Sequence, residues 1–344
     1  MENIWPDEVM NIESSKQRYY EPKEFKEKIS VMSPLFESYS AKDAKDLENF
    51  IIMTLHSELN KNVVNFKHNN LLSNEIYDQR NKLETFQSFY NNYIKTFNSK
   101  ISDIFYAIQQ TQTTCLNCKT IQYNYQTYFF LIFPLEEVKK HCKFNIQQQL
   151  LIMNVMNNMN MNNFMNNMNN INNMNNFLMN KMNQLTKQFQ RLSNNTVNIY
   201  ECFDYYQKVD KMSGDNAIYC NYCNVMSDAD YCTTLVTSPK ILILLLNRGK
   251  GKEFNIKLEF YETININSYI NMNNTNHIYK LIGVITHLGN SGEDGHFIAH
   301  CLSPINNRWY TYNDSIVTEI DDFKKKIIDF GMPYLLFYRK EENK

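Results

Sequence analysis

A histidine near the C-terminus has the sequence context of a general base. In the stretch GHFIAHCLSPINNRWYTYNDS, His296 directly follows Gly295, and Asn313 stands seventeen residues after the histidine. An imidazole is an effective base when a partner holds its other ring nitrogen, as asparagine does in Cys-His-Asn sites. Asn313 ends a predicted strand that returns beside GHFIAHC, so we expect it to orient His296, with Asp314 assisting or capping the turn. A lone histidine in a strand is more often structural, and a base of this kind requires a nucleophile.

The cysteines provide no clear nucleophile for His296. The first cysteine of the chain is Cys115, and the nearest in sequence to His296 is Cys301, five residues further along the same predicted strand. An odd offset in a strand turns the Cys301 side chain to the opposite face of the sheet. None of the cysteines stands at a predicted helix N-terminus, where a thiol ionises most readily. The sequence therefore predicts a base that has nothing to activate.

Four of the eight cysteines form two C-x-x-C pairs, Cys115 with Cys118 in TCLNCK and Cys220 with Cys223 in YCNYCN. The two-residue spacer lets both sulfurs of a pair face one ion, so two such turns on adjacent hairpins predict a closed four-thiolate zinc site. The wide separation of the two pairs leaves redox pairing or unpaired buried cysteines as alternatives. For the other cysteines we expect buried or structural roles; they are Cys142, Cys202, Cys232 and Cys301.

The region before about Thr114 is predicted to be mostly helical. Its clearest helix lies in SAKDAKDLENFIIMTLHSELNK, where Ser40 and Asp43 predict a capping box. Apolar residues recur there at helical spacing. They are Ala44, Leu47, Ile51, Leu55 and Leu59.

The region after about Tyr200 is predicted to form strands, because it consists of β-branched and aromatic runs separated by turn-forming residues. Without a long helical pattern between the runs, we expect one antiparallel sheet. The fold class is therefore α+β. The runs are DYCTTLVTSPKILILLLNR, IYKLIGVITHLG, GHFIAHCLSP, RWYTYND and MPYLLFYRK.

Residues 153–183, between these regions, are almost wholly Asn and Met. The apolar residues of this low-complexity tract repeat mainly every three positions, which drifts around an α-helix instead of holding one face. We therefore expect a mobile insertion in a loop. The alternative is a Met-rich helix that binds a partner.

Composition favours an intracellular protein with a neutral protein partner. The formal net charge of −1 gives no basic excess for nucleic acid or an anionic membrane. The longest aliphatic run, Ile241 to Leu246, is too short to cross a bilayer, and MENIWPDEVM lacks the features of a signal peptide. We expect a soluble, intracellular protein of the cytoplasm, the nucleus or both, with no nucleic-acid or membrane partner.

The chain from about Tyr20 onward resembles the ubiquitin-specific proteases, which are cysteine deubiquitinases of papain-like thumb, palm and fingers architecture that cleave after the C-terminal Gly-Gly of ubiquitin. AKDAKDLENFIIMTLHSELN resembles the helix that follows the family's catalytic-cysteine region, and CLNC and CNYC resemble the zinc knuckles of the fingers. SPKILILLLNRG, YKLIGVITHLG, GHFIAHC, WYTYNDSIVTEI and YLLFYRK resemble the palm strands and the histidine box. The resemblance implies a partial domain over 1–344. Its parts are a remaining thumb to about 105, fingers over about 106–236 and a palm over about 237–344.

The resemblance also implies roles for particular residues. His296 matches the general base, Asn313 the third member of the triad, and Asp314 the following acid that supports the oxyanion side. Asp43 and Asp46 match acids that hold the basic tail of ubiquitin through charge-assisted hydrogen bonds, and Gly295 is expected to contact the same substrate. Without the family, the two aspartates are equally well explained as acids capping a positive helix N-terminus.

One departure from the family bears directly on activity. Members begin with a box that carries the nucleophilic cysteine, whereas residues 1–20 here contain no cysteine. We rank a truncated deubiquitinase first, a non-catalytic ubiquitin-binding pseudo-protease second, and a zinc-stabilised interaction module third. Smaller departures are Phe297, where the family usually has Tyr, and the Asn/Met-rich insertion.

Overall fold

The computed structural model describes residues 22–37, 42–61, 80–162, 168–249, 254–272, 276–289 and 295–342, with only the backbone described for 156–162 and 168–175. No helix within these ranges combines the length and the apolar character that crossing a membrane requires. Helices and strands alternate in blocks, as the sequence predicts for the α+β class.

The N-terminal part is helical, as predicted. The helix expected in this region begins at Asp43, whose carboxylate accepts a hydrogen bond from the Lys45 N–H, while Ser40 lies outside the described residues. The buried face differs from the prediction: Ile52 and His56 are buried, whereas Leu59 is 47% exposed. The elements are α1 (Lys23–Met32), a 3₁₀ turn (Pro34–Phe36), α2 (Ala44–Leu59), α3 (Lys82–Thr96) and α4 (Lys100–Phe105).

The middle of the chain mixes short strands with two long helices. Its elements are β1 (Ala107–Cys115), β2 (Ile121–Tyr128), β3 (Phe130–Pro134), α5 (Leu135–Asn162), α6 (Met168–Ser193), β4 (Thr196–Asn198), α7 (Ile199–Tyr206), β5 (Val209–Met212), β6 (Ile218–Cys220), β7 (Val225–Ser227) and β8 (Ala229–Leu235). Strands β2, β1, β8 and β5 form one antiparallel sheet in that order, and β6 and β7 form a separate hairpin.

The C-terminal part builds the larger sheet, of eight strands. The elements of this part of the chain are β9 (Ile241–Asn247), β10 (Lys257–Glu259), β11 (Thr263–Asn265), β12 (Ile278–Leu288), β13 (His296–Leu302), β14 (Trp309–Asn313), β15 (Ile316–Glu319), a π-helical turn (Lys324–Ile328) and β16 (Pro333–Lys340). The strand order in the larger sheet is β15-β14-β13-β12-β16-β9-β3, where β3 comes from the middle of the chain. Strand β11 also pairs with β12.

One expectation about the sheet was wrong. The run DYCTTLVTSPKILILLLNR divides between the two sheets, because β8 pairs with β1 while β9 pairs with β16. The predicted runs that do lie in the larger sheet pair antiparallel as expected, and β3, which precedes them in the chain, runs parallel to β9. Residues 135–240 provide the long crossover that parallel pairing needs.

The central strands of the larger sheet are buried on both faces. In β9, Leu242, Leu244 and Leu246 belong to the main core, together with residues of α5, α6 and α7. Ile243 and Leu245 point the other way and pack with Ile52 of α2 and Ile101 of α4. Alternation along the strand thus places helices on each side, and the helices close over the sheet that carries the histidine box.

The described residues of the Asn/Met-rich tract, 153–162 and 168–183, are helical, contrary to the loop expected from its three-residue repeat. These residues belong to α5 and α6, which pack against each other. The physical reason lies in its flanks. Val138 and Ile146 at the base of α5, and Leu185 and Leu192 at the base of α6, are buried in the main core. Turns nucleated there let the helix continue into the tract, because propagation costs far less than nucleation.

We predict that Leu185→Ala destabilises the protein by about 2–5 kcal/mol, because it removes a side chain that is only 4% exposed from the core under α6. Chemical denaturation followed by circular dichroism measures the change. Thr186→Ala, at the exposed neighbouring position, should change stability by no more than about 0.5 kcal/mol. Equal effects of the two substitutions would contradict the packing of α6.

Candidate functional site

The histidine and the asparagine singled out by the sequence lie in contact. His296 begins β13 and Asn313 ends β14, and the antiparallel pairing of these strands brings the two residues to the same end of the sheet. The Nε2 atom of His296 lies 2.7 Å from Oδ1 of Asn313. Because an amide oxygen only accepts, Nε2–H must be the donor, and in the neutral ring Nδ1 then carries the lone pair. In this tautomer the nitrogen that does not contact Asn313, Nδ1, can accept a proton, as a general base must.

Asp314 stands beside this pair in a turn. Its Oδ2 atom lies 3.7 Å from Nε2 of His296, its side chain is 80% exposed, and its φ of 50° lies in the left-handed region. Asp314 therefore forms part of the turn between β14 and β15.

Gly295 allows a close contact that a larger residue would prevent. A Cβ atom placed on it would lie 2.2 Å from Cε1 of His287 and 2.6 Å from the Leu288 carbonyl oxygen. The ring of His287 also lies 4.7 Å from that of Phe297, which in turn lies 5.2 Å from Tyr334. The absence of a side chain at Gly295 thus allows the His287 ring to pack closely against the backbone immediately before His296.

Asp43 connects the start of α2 to the larger sheet. Its carboxylate accepts hydrogen bonds from the Tyr334 hydroxyl at 2.7 and 2.8 Å and from Lys45 Nζ at 2.8 Å. Partial burial would raise the pKa of Asp43, but the hydrogen bonds from Lys45 and Tyr334 outweigh it and hold that pKa below its ordinary value. The carboxylate therefore stays ionised at the sheet surface.

Asp46 lies one turn after Asp43 and borders a groove between the 3₁₀ turn and α2, where it lies with Phe36, Phe50 and Met53. Burial is the main cause that raises the pKa of Tyr334, and the charges of Asp43 and then Asp46 raise it further. Both acids therefore act electrostatically on the same side of the sheet.

His287 is close enough to both Asp43 and His296 for the charge of each to affect its pKa. Burial lowers the pKa of His287, the charge of Asp43 opposes that shift, and the charges of Arg248 and His296 add to it. His287 thus lies between the acidic helix start and the histidine box. Its Nδ1 atom is buried and has no hydrogen-bond partner among the described residues.

Three contributors to this region were missed by sequence reasoning, namely His287, Tyr334 and Arg248. The Arg248 guanidinium is buried and donates to the Pro333 carbonyl at 2.9 Å from Nε and 2.7 Å from Nη2, and burial lowers the pKa of Arg248 to about 10. It fixes the start of β16, from which Tyr334 reaches Asp43. The sequence gives no stronger sign of Arg248 than its place as a charged residue two positions after the aliphatic run of β9.

None of the eight cysteines is placed as a partner for His296. Cys142 and Cys202 are buried in the main core, and burial raises the pKa of both thiols and of the thiols of Cys232 and Cys301. Burial thus disfavours the reactive thiolate at these four positions. The remaining four cysteines lie together elsewhere.

Those four cysteines converge as the C-x-x-C spacing predicts. Their sulfur atoms all lie within 4.8 Å of one another, with 3.9 Å between Cys115 and Cys223 and 3.7 Å between Cys118 and Cys220. Sulfurs bound tetrahedrally at about 2.3 Å from a zinc ion would be separated by about 3.8 Å. The cluster therefore fits a four-coordinate metal ion.

The two turns of the cluster have the same construction. The Lys119 N–H donates to the Cys115 carbonyl at 2.9 Å, and the Asn224 N–H donates to the Cys220 carbonyl at 2.8 Å. Lys119 and Asn224 have φ values of 61° and 54°. Each turn thus closes four residues after its first cysteine, through a residue in the left-handed region, and directs both thiols inward.

Comparison with known proteins agrees with this geometry. The sequence model of the family described as ubiquitin carboxyl-terminal hydrolase matches residues 1–338. Ubiquitin carboxyl-terminal hydrolase 2 of Bos taurus is 22% identical over 338 residues, which cover 94% of this chain and 44% of that protein. Ubiquitin carboxyl-terminal hydrolase 48 of Gallus gallus is 28% identical over 134 residues, or 37% of this chain and 13% of that protein. The chain thus spans less than half the length of either relative.

Solved structures show the same fold. The SAGA DUB module of Ubp8, Sgf11, Sus1 and Sgf73 bound to monoubiquitin has a TM-score of 0.54 at 18% identity, covering 91% of this chain and 52% of that chain. A second structure of the SAGA Ubp8 DUB module, at the same TM-score and identity, covers 92% of this chain and 54% of that chain. The chain belongs to the ubiquitin carboxyl-terminal hydrolase family, as a member with the α+β fold of the ubiquitin-specific proteases.

We predict that Gly295→Ala destabilises the protein by about 1–3 kcal/mol, because the new methyl group overlaps the His287 ring and the Leu288 carbonyl. Urea denaturation measures the loss. Gly283→Ala is the matched control, since its Cβ would meet nothing closer than 3.5 Å. If both variants are equally stable, Gly295 does not serve to admit His287.

Proposed function

We propose that this chain is a ubiquitin-binding deubiquitinase module that carries the base side of a cysteine-protease site. The observation that supports this most is the 2.7 Å contact between His296 Nε2 and Asn313 Oδ1, in a chain of this family. The division proposed for the chain is a thumb to about 105, fingers over about 106–236 and a palm over about 237–344. One exception to that division is β3, which pairs with β9 of the larger sheet.

In this proposal His296 moves the proton and Asn313 holds the ring. Nδ1 of His296 takes the proton of a cysteine thiol, and the thiolate attacks the carbonyl carbon at the ubiquitin C-terminus. His296 then gives that proton to the departing amine, and water later releases ubiquitin from the thioester. Asp314 would repel an oxyanion directly, so its support for the oxyanion side must act through a donor that it orients.

The nucleophile in this proposal is not one of the eight cysteines of these 344 residues. Burial disfavours the thiolate at four of them, and the other four form the metal-type cluster. The protein is therefore proposed to be a truncated deubiquitinase, whose cysteine belongs to sequence outside this chain. The same observation favours a second candidate, a pseudo-protease or interaction module that binds ubiquitin without cleaving it.

Asp43, Asp46 and Gly295 are proposed to receive the tail of ubiquitin. The carboxylate of Asp43 is ionised, and 30% of its side-chain surface is exposed. An incoming guanidinium would replace Lys45 on that carboxylate with a stronger, bidentate partner. The lack of a side chain at Gly295 would let the two glycines that end the tail pass close to the backbone.

The partner in this proposal is ubiquitin or a ubiquitinated protein, with no nucleic-acid or membrane partner. The near-neutral charge of the chain supports this choice. The proposed location is the cytoplasm, the nucleus or both, where eight unpaired cysteines would stay reduced.

Zinc is the proposed occupant of the four-cysteine cluster, with a structural role, because four thiolates close the tetrahedron and leave no open position for catalysis. We expect freshly purified, reduced protein to contain about one equivalent of zinc by mass spectrometry of the metal. Cys220→Ser should lose most of it and loosen the β6–β7 hairpin. Cys232→Ser, which changes a cysteine outside the cluster, should retain the full equivalent.

Metal-free protein that is nevertheless folded and reduced would remove the zinc assignment. So would Cys220→Ser protein that still holds one equivalent.

We expect the chain to bind ubiquitin, and Asp43→Asn to weaken that binding about tenfold by removing a charged acceptor. Asparagine is an equally good N-cap, so this substitution removes the charge while it keeps the start of α2. Asp43→Arg should weaken binding further. Isothermal calorimetry with ubiquitin measures the three affinities, and thermal unfolding verifies that each protein is folded.

Asp321→Asn is the matched control, because Asp321 lies beyond the end of β15 opposite to the Asn313 end of the hairpin. Its affinity should equal that of the unmodified chain. Folded protein without ubiquitin binding would refute the proposal. In the same samples, ubiquitin carrying a C-terminal thiol-reactive group should leave the chain unmodified, and an adduct would show that one of the eight cysteines is the nucleophile.

A further inference from the structure

Helix α5 has two apolar stripes on opposite sides, of which the protein covers one. Leu135, Val138, Cys142 and Ile146 face the main core and are at most 8% exposed. On the opposite side, about half a helical turn away, stands a second stripe that we call the outer stripe. It consists of Phe144, Gln148, Leu151 and Val155.

The outer stripe is exposed along its whole length. Phe144 is 58% exposed, Leu151 60% and Val155 45%, and Gln148 is exposed as well. Three large apolar side chains in a row on one helix face are an unusual feature of a surface that meets only water. The stripe is therefore a candidate for contact with another molecule.

The spacing of the outer stripe is symmetric under reversal. Its positions are separated by four, three and four residues, which is the pattern of a helix that packs along a partner helix. Two copies laid antiparallel would place Phe144 opposite Val155 and Gln148 opposite Leu151, and the same two pairs would repeat across the two-fold axis. This is the self-complementarity that a two-fold symmetric interface requires.

The charge pattern also favours a second copy over a charged partner. Residues 144–180 contain no Asp, Glu, Lys, Arg or His, so nothing on this stretch repels an identical surface. Its polar residues are Asn and Gln, whose amides both donate and accept hydrogen bonds and therefore match their own kind. A patch that recognised a charged partner would carry the opposite charge.

We propose that the outer stripe of α5 is a homodimer contact, in which two copies of this chain pair their α5 helices antiparallel. The 28 residues of α5 extend about 42 Å and present a face about 10 Å wide, or about 420 Å² per copy. The total of about 840 Å² for two copies lies below the roughly 1,200 Å² at which standard specific interfaces begin, in the range of weak, transient contacts. The dimer is therefore reversible and depends on concentration, and it does not depend on ubiquitin.

The test is sedimentation equilibrium of the full chain in reducing buffer, over a concentration series. The mass should rise from 41.0 kDa towards twice that value as concentration increases. Phe144→Glu and Val155→Lys should each raise the dissociation constant at least about tenfold, because each places a charge opposite an apolar residue at two symmetry-related positions. The variant with both substitutions should recover much of the association, because the two introduced charges are opposite in sign and face each other across the interface twice.

Ile305→Gln is the control, since Ile305 is 93% exposed but lies far along the chain from α5, and its dissociation constant should be unchanged. Circular dichroism should show unchanged helix content in every variant. A protein that stays monomeric throughout the series overturns the proposal, as does a dimer that survives both single substitutions or a double variant that fails to recover. Monomeric protein that instead cosediments with phosphatidylcholine vesicles would assign the outer stripe to a lipid surface and overturns the proposal as well.

Discussion

The burial of β9 on both faces is the constraint on which the rest of the structure depends. Its leucines and isoleucines alternate between the main core and the smaller core beneath α2 and α4, and Leu242 to Leu246 are almost fully buried. Such a strand is stable only when helices cover both sides of the sheet. One cover is the α5–α7 layer, and the other brings the start of α2, with Asp43, onto Tyr334 of the neighbouring strand β16.

That arrangement also explains where the candidate site lies. The strands furthest from β9, which are β13, β14 and β15, have fewer buried residues, so the end of the sheet that carries His296 and Asn313 remains accessible. Arg248 follows β9 directly and holds the start of β16 through the Pro333 carbonyl. The accessible histidine and the fixed acid are thus consequences of one buried strand and its two helical covers.

The sequence alone was sufficient to predict contacts between residues of neighbouring strands and contacts within repeated local motifs. The pairing of His296 with Asn313 followed from a hairpin, and the convergence of the four cysteines followed from the C-x-x-C spacing. It was insufficient where contacts join distant segments, such as Asp43 with Tyr334, 291 residues apart. It failed for the Asn/Met-rich tract, because periodicity within the tract ignores the buried flanks from which its helices grow. The contact of Gly295 with His287 was also invisible, since it depends on ring positions across two strands.

The central claim is that the C-terminus of ubiquitin reaches His296. The most direct test uses the chain labelled with ¹⁵N at its seven histidines and ubiquitin that carries a nitroxide spin label at its C-terminus. The account predicts that the ring signals of His296 broaden strongly, while those of His141, on α5 and packed against Tyr205 of α7, remain sharp. Equal broadening of both residues, or broadening of His141 alone, would contradict it.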